Sequence, residues 1–555
     1  MATDWSPEVL AAHAAAQAAL RVRLPAGQPV ARFLAQAQAL IPPLVETAQP
    51  PRAWVRAEPA PGHCLGHRMV SAGDLAAWAQ RTWRDGDSFI IDFGGHRTGY
   101  LSFTLLASEG MADSPVRLRL TFGEVPPDVA EPLYPFTGRL SAAWLPEEVL
   151  VVDDLPAAVR VGRRHAFRYV RVDVLATSVR FGVRFEDLTA HAVTSATVMP
   201  AALPDGAPDW LRRVDDIALA TLRDCLQTSF EDGPRRDRRL WVGDLRLQAL
   251  TNYATFGAND VVRRCLYLFA GLPRSDGLVN GCVYERPQPA YADTVTVDYA
   301  ALFNVTLQEY VQATGDLATG HELWAVAVRQ IELLWAMLDA DGLFVDTGAT
   351  WCFIDWATTL DRSTSVQGAI ILALRRTWQL AQALGREAEV PHYPGWLSGL
   401  VDAARVHLWD AEAGVFVSGT SRQVSWASQA WMVLAGVPHS AQQASRALHA
   451  VMGDAQALRP TTPYLYHYMV EALVACGERE AALTLLRQYW GAMADAGADT
   501  FWEVFEPGQT LASPYGDIHL NSYCHAWSCT PSYFFRGLGL GLGPAVQAAC
   551  RTALA

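Results

Sequence analysis

Hydrophobic positions change their period along this chain. From Asp87 to about Pro200 they recur at every second residue. In Val116–Phe122, Val116, Leu118, Leu120 and Phe122 fall on one side and Arg117, Arg119 and Thr121 on the other, the pattern of a half-buried strand. Ser88–Phe93, Tyr100–Leu106, Val149–Val152, Ala166–Val174 and Val179–Phe185 repeat it, with Gly94–Gly99 read as a turn between the first two. Many short strands with turn signals between them predict a β-sandwich over residues 86–203. From Pro208 the spacing becomes helical. Trp210, Val214, Ile217 and Leu222 form one apolar stripe. About a dozen helices are predicted, beginning near Pro208, Leu240, Asn259, Thr294, Thr319, Ser363, Gly395, Arg422, Ser440, Thr462, Glu478 and His525. Polar, acidic and aromatic links join alternate pairs, which suggests a toroid of six helical hairpins over residues 204–555. Tandem helical repeats would also give many helices, but with a fixed-period sequence pattern that this chain lacks. Before residue 86 a helix is predicted over Pro7–Arg21. Beyond that helix the chain is broken by Pro42, Pro43, Pro50, Pro51, Pro59 and Pro61, so residues 1–85 read as a mixed segment packing on the sandwich.

Composition narrows the chemistry. All 44 basic residues are arginine, and without lysine neither Schiff-base and pyridoxal-phosphate chemistry nor a phosphate-loop lysine is available. A formal net charge of -13 argues against a nucleic-acid partner, because phosphate binding needs a basic field. No run approaches the roughly 20 apolar residues of a membrane span. Met1–Leu20 carries Asp4, Glu8 and His13 in place of a basic then apolar leader. Nine scattered cysteines include no C-x-x-C pair, so a disulfide framework and a zinc ribbon are both disfavoured. The expectation is a soluble cytoplasmic protein with no metal and no organic cofactor.

Three stretches could carry chemistry. Glu231–Asp244 packs four carboxylates, four arginines and Trp241 into fourteen residues. Charge runs are usually solvated faces, but Gly233, Pro234, Trp241 and Gly243 do not fit a plain helix face. Arginine beside a carboxylate normally lowers its pKa, whereas a carboxyl shielded in an apolar pocket near Trp241 can be raised and serve as an acid. In Asp499–Gly508, Glu503 and Glu506 stand among Phe501, Trp502, Val504 and Phe505. The run Asn521–Trp527 comes after it and contains His525, for which a satisfied core histidine is the competing reading. In Trp351–Trp356, Asp355 is bracketed by aromatic rings, as a sugar subsite requires: faces for stacking and a carboxylate for paired hydroxyls. A helix-capping acid would look the same. Two carboxylate-bearing loops far apart in sequence suit glycoside hydrolysis, which needs a proton donor and a base or nucleophile on opposite sides of the anomeric carbon.

The stretch Asp232-Gly-Pro-Arg-Arg-Asp237-Arg-Arg-Leu-Trp241-Val-Gly-Asp244 resembles the signature loop of the α-L-rhamnosidases of glycoside hydrolase family 78. The resemblance extends to Asp92–Gly99, Asp298–Phe303, Thr314–Asp316, Ile354–Trp356 and Phe501–Glu503, and covers the chain from about Asp87 to its end. It implies an N-terminal β-sandwich followed by a catalytic (α/α)6 barrel that releases terminal α-L-rhamnose with inversion. Carried over by position, Asp237 would be the general acid and Glu503 the general base that activates water. Asp232 and Arg236 would bind the rhamnose hydroxyls. Trp241, Asp244, Asp355, Trp356 and His525 would shape the sugar site, with Trp351 and Trp502 beside it. The general-acid position is commonly Glu in the family, with Cys-Pro where this chain has Gly233-Pro234, so Asp232 stays a rival for the acid role. The chain leaves no room for a C-terminal β-sandwich after Ala545 and resembles the short two-domain form, which implies a homodimer. A cytoplasmic address implies a small imported rhamnoside as substrate. The alternatives are another inverting glycosidase or a phosphorylase on the same toroid, and a non-catalytic carbohydrate-binding protein. Carboxylates at both Asp237 and Glu503 disfavour the last.

Overall fold

The computed structural model describes residues 26–348, 351–508 and 513–543. The helix predicted over Pro7–Arg21 and the cysteine at position 550 lie outside them. A short helix, α1 (Ala31–Ala39), opens the described chain. Nine strands then share one sheet: β1 (Val45–Gln49), β2 (Ala53–Pro59), β3 (His67–Gly73), β4 (Ser88–Ser108), β5 (Val116–Gly123), β6 (Glu147–Val152), β7 (Ala157–Arg160), β8 (His165–Ala176) and β9 (Gly182–Thr194). Three of them, β1 to β3, come from the stretch whose prolines pointed to irregular structure.

The turn expected at Gly94–Gly99 is instead a kink inside β4, which runs unbroken for 21 residues. Gly94 adopts φ +81°, open to a residue without Cβ, and its N–H donates to Asp92 Oδ1 at 2.7 Å. The register with β8 slips between Asp92 and Arg97, so the strand bends without reversing. Ahead of the kink β4 lies between β2 and β8, and beyond it between β9 and β7. One strand thus serves both layers of the sandwich. Their inner faces meet through Ile91, Leu101, Phe103, Leu105, Leu118, Leu120, Phe122, Val172 and Phe185, all buried in one core. Each such side chain contributes about 1.5–3 kcal/mol of burial.

Helices come next: α2 (Asp209–Cys225), α3 (Val242–Tyr253), α4 (Asn259–Gly271), α5 (Val297–Thr314), α6 (Leu317–Trp335), α7 (Ser363–Leu384), α8 (Tyr393–His407), α9 (Trp426–Leu434), α10 (Ala441–Gly453), α11 (Pro463–Ala475) and α12 (Arg479–Leu486). A final segment, Ala526–Gly537, is a 3-10 turn and a π turn. Neighbouring contacts run from α3 to α5, α7, α9, α11, the final segment and back to α3, closing an inner ring. The sequence accounts for the two rings. Inner α5 is buried along nearly its whole length and has apolar residues on all sides. Outer α2 is amphipathic and buries Leu211, Val214, Ile217 and Leu222. Phe33 of α1 stacks on Tyr267 of α4 at 5.9 Å, so the first described element packs on the barrel.

Buried ions join the two domains. Arg235 of the barrel holds Asp128 of the β-domain through both Nη atoms, at 2.6 and 2.7 Å. Burial pushes the Asp128 carboxyl up, but Arg235 and His519 outweigh it and bring it to about 2. His96, on the β4 kink, bridges Asp224 at 2.7 Å and Glu124 at 2.9 Å. Arg164, just ahead of β8, reaches Glu231 at 2.6 Å. Removing one partner of such a buried pair costs about 3–5 kcal/mol, so the interface fixes the loop that begins at Glu231.

Candidate active site

The inner helices present their N-terminal ends to one face of the barrel, and there a pocket of about 210 Å³ opens. Its walls come from six places. The loop after α2 brings Asp232, Arg236, Asp237 and Arg239, and the start of α3 brings Trp241 and Asp244. Tyr299 stands on α5, with Trp351, Phe353 and Trp356 ahead of α7. Glu503, Tyr515, His525 and Trp527 come from the segment after α12. Leu140 and Trp144 reach in from the β5–β6 connection of the sandwich.

The first loop is held at both ends. Leu240–Trp241 pairs with Cys282–Tyr284 as antiparallel strands. The Asp232 carboxylate accepts the Arg239 N–H at 3.1 Å, and Ala526 N–H donates to the Asp232 carbonyl at 2.7 Å. A Cβ on Gly233 would lie 2.5 Å from Ser522 Oγ, so only glycine lets the two loops approach this closely. The aromatic loop is held differently. Ile354 has φ +51°, a strained region for a β-branched residue. Asp298 at the start of α5 fixes it by accepting the N–H groups of Phe353 at 3.0 Å and Ile354 at 2.9 Å.

Arg236 organises the carboxyls. Its Nε lies 3.2 Å from Asp237 Oδ1, its Nη2 3.4 Å from Glu503 Oε2, and the same Nη2 donates to Tyr515 Oη at 2.9 Å. The Tyr515 hydroxyl donates to Glu503, and Ser522 N–H donates to Glu503 Oε2 at 3.3 Å. Burial pushes the Glu503 carboxyl up, opposed by Arg236 and Tyr515. Burial, then the charges of Asp237 and Asp244, push Asp232 well above the carboxylate range. Burial carries Asp244 up to about 8 against the Tyr299 hydrogen bond. Burial and then Arg236 keep His525 neutral well below its usual range. Asp244 Oδ1 and His525 Nδ1 lie 3.9 Å apart, and among the described residues neither atom has a hydrogen-bond partner. The Asp237 side chain is 18% exposed against 3% for Glu503, which makes it the more accessible carboxyl of the bridged pair. Among the described residues no group of three metal-ligating side chains is present.

Of the eleven residues that the sequence points to, nine line the pocket and two do not. Asp355 is buried behind the wall. Its Oδ2 accepts Thr461 N–H at 2.8 Å and Thr461 Oγ1 at 2.9 Å, and its Oδ1 accepts Thr462 Oγ1. The carboxylate that was expected to hold sugar hydroxyls therefore ties the aromatic loop to the start of α11. Trp502 packs edge-on to Phe505 and Tyr523 at 5.6 and 5.4 Å, away from the pocket. We expect Asp355→Ala to lower the thermal unfolding midpoint, since stranding the two threonines costs about 1–3 kcal/mol. A raised KM at unchanged stability would return Asp355 to the sugar. Tyr299, Phe353 and Trp527 fall inside runs that the sequence singled out and received no role there. Tyr515, Leu140 and Trp144 left no sequence signal.

The comparisons with known proteins agree with this fold. Residues 51–192 match the glycosyl hydrolase family 78 alpha-rhamnosidase N-terminal domain, and residues 207–537 match the bacterial alpha-L-rhamnosidase 6 hairpin glycosidase domain. A rhamnosidase from Klebsiella oxytoca with rhamnose bound is 45% identical, covers 92% of this chain and 99% of its own, and superposes with a TM-score of 0.90. The family 78 rhamnosidase of Bacillus sp. GL1 is 22% identical over 84% of this chain and 49% of its own, at a TM-score of 0.70. The Streptomyces avermitilis α-L-rhamnosidase complexed with L-rhamnose is 16% identical over 90% of this chain and 44% of its own, at 0.65. These last two share the fold. No curated protein sequence matches the chain. The β-domain and the six-hairpin barrel are thus matched along nearly the whole length, and the chain belongs to the α-L-rhamnosidases of glycoside hydrolase family 78.

Proposed function

We propose that this glycosidase is an inverting exo-α-L-rhamnosidase acting on small rhamnosides. The observation that carries the reading is the single Arg236 guanidinium between Asp237 and Glu503, one carboxyl from each loop. In this mechanism Asp237, the more exposed, gives its proton to the glycosidic oxygen. Glu503, oriented by Arg236, Tyr515 and Ser522, takes a proton from the attacking water. Arg236 limits the field that each carboxyl exerts on the other. Asp244 and His525 stand where one sugar hydroxyl could bond to both, and Trp241, Phe353, Trp356 and Trp527 offer ring faces. A pocket below the roughly 300–1,000 Å³ of drug-sized sites suits one terminal sugar better than a chain. Six cysteines, Cys225, Cys265, Cys282, Cys476, Cys524 and Cys529, carry free thiols, which supports a cytoplasmic address.

A panel of nitrophenyl glycosides tests the substrate. The α-L-rhamnoside is expected to be cleaved at least about tenfold faster than the α-D-glucoside and the α-L-arabinoside, without added phosphate. Preference for another glycoside, or dependence on inorganic phosphate, would refute the assignment.

A further inference from the structure

We propose that Arg239, with Trp144 of the β-domain, forms a leaving-group subsite for an aglycone bearing a carboxylate, as a uronic acid does. The four arginines of the loop are used differently. Arg235 is taken up by Asp128 and Glu124, and Arg236 by Asp237, Glu503 and Tyr515. Arg238 Nε donates to the Pro234 carbonyl at 2.9 Å. Arg239 lines the pocket, and among the described residues its guanidinium has no hydrogen-bond or carboxylate partner. It is held by its faces, 4.6 Å from the ring centre of Tyr284 and 6.0 Å from that of Trp144. Stacking fixes the plane of a guanidinium and leaves its N–H edges free, the arrangement that grips a carboxylate through two parallel bonds.

Its place in the pocket assigns the partner. Arg239 stands two residues beyond Asp237 on the same loop, and both line the pocket. If Asp237 protonates the departing oxygen, Arg239 belongs to the side from which the aglycone leaves. Leu140 and Trp144 line the pocket from the sandwich, and the Trp144 ring centre lies 6.0 Å from the Arg239 guanidinium. A uronic acid supplies both complements: a carboxylate for the fork and an apolar ring face for the indole. At -13 for the whole chain there is no long-range attraction for an anion, so selection rests on this one local cation.

The inference rests on the rhamnosidase reading, and one experiment separates the two. Kinetics of the purified protein are measured on methyl α-L-rhamnosyl-(1→4)-D-glucuronoside and on its uronamide, which share linkage and ring. The acid is expected to exceed the amide by about tenfold in kcat/KM, with the ratio shrinking in 1 M salt. In Arg239→Gln the ratio should fall to near one, and in Arg239→Lys to an intermediate value, because a point charge lacks the fork. The ratio is read within each variant, so a general loss of activity does not mimic the effect. Should Arg239→Gln fail to fold, the wild-type ratio and its salt dependence still decide. Equal rates on acid and amide, or an acid preference that survives Arg239→Gln, would overturn the subsite while leaving the rhamnosidase standing. Failure to cleave any rhamnoside would overturn both.

Discussion

Replacing Glu503 by Gln is expected to lower kcat by about 10²–10⁴-fold for every substrate, with KM nearly unchanged. Water must be activated whatever the leaving group, so no substrate escapes the loss. Glutamine has nearly the same shape and can still accept from Arg236, so a folding defect should not account for it. The same role fixes the stereochemistry. A base that seats a water between itself and the sugar requires carboxyls roughly 6.5–9.5 Å apart, and the first product, seen by NMR before mutarotation, should be β-L-rhamnose. Azide should restore no α-linked adduct, because no covalent intermediate forms. A first product of α configuration would exclude inversion. Burial also sets the pH profile. The base must be ionised, and burial raises the Glu503 pKa above its usual 4.5. Activity should therefore rise with pH through a midpoint above that of a free glutamate, and this acid limb of kcat/KM should be missing from the residual activity of Glu503→Gln.

Asp237→Asn should divide substrates by leaving group. A nitrophenolate departs with little protonation, so its loss should be modest, whereas a rhamnosyl disaccharide needs the proton and should lose about 10²–10⁴-fold. Equal losses on both would move the acid role to Asp232. That residue has the required protonation state, since burial and its charged neighbours hold its carboxyl well above the usual range. Its geometry is less suited: one oxygen is occupied by the Arg239 N–H, and its main chain ties the first loop to Ala526. Among the described residues Asp237 is hydrogen-bonded only through the Arg236 guanidinium, which leaves it the freer of the two to meet a glycosidic oxygen.

The period of the hydrophobic pattern was enough to determine the two-part architecture. Strands need alternation and inner barrel helices need apolar residues all round, and both conditions are local, so the helix starts read near Asn259, Ser363, Ser440 and Thr462 stand within a residue or two of α4, α7, α10 and α11. The loop Glu231–Asp244 was also legible, because four carboxylates, four arginines and a Gly-Pro turn fit no ordinary surface helix. Three features were decided by tertiary structure alone. Gly94–Gly99 carries turn residues, but pairing with β8 on one side and the hydrogen bond from Gly94 to Asp92 convert the expected reversal into a kink. Asp355 has the neighbours of a sugar-binding acid, and only the arrival of Thr461 and Thr462 from more than a hundred residues away turns its carboxylate out of the pocket. Tyr515, Leu140 and Trp144 belong to segments with no periodicity: Tyr515 is held in the pocket by Arg236 and Glu503, and Leu140 and Trp144 become walls because buried ion pairs such as Arg235–Asp128 dock the sandwich against the barrel. Composition and period report what a residue does for its own element. Which side chains face one cavity depends on where separate elements cross, and that is set by packing between stretches of chain that the sequence places far apart.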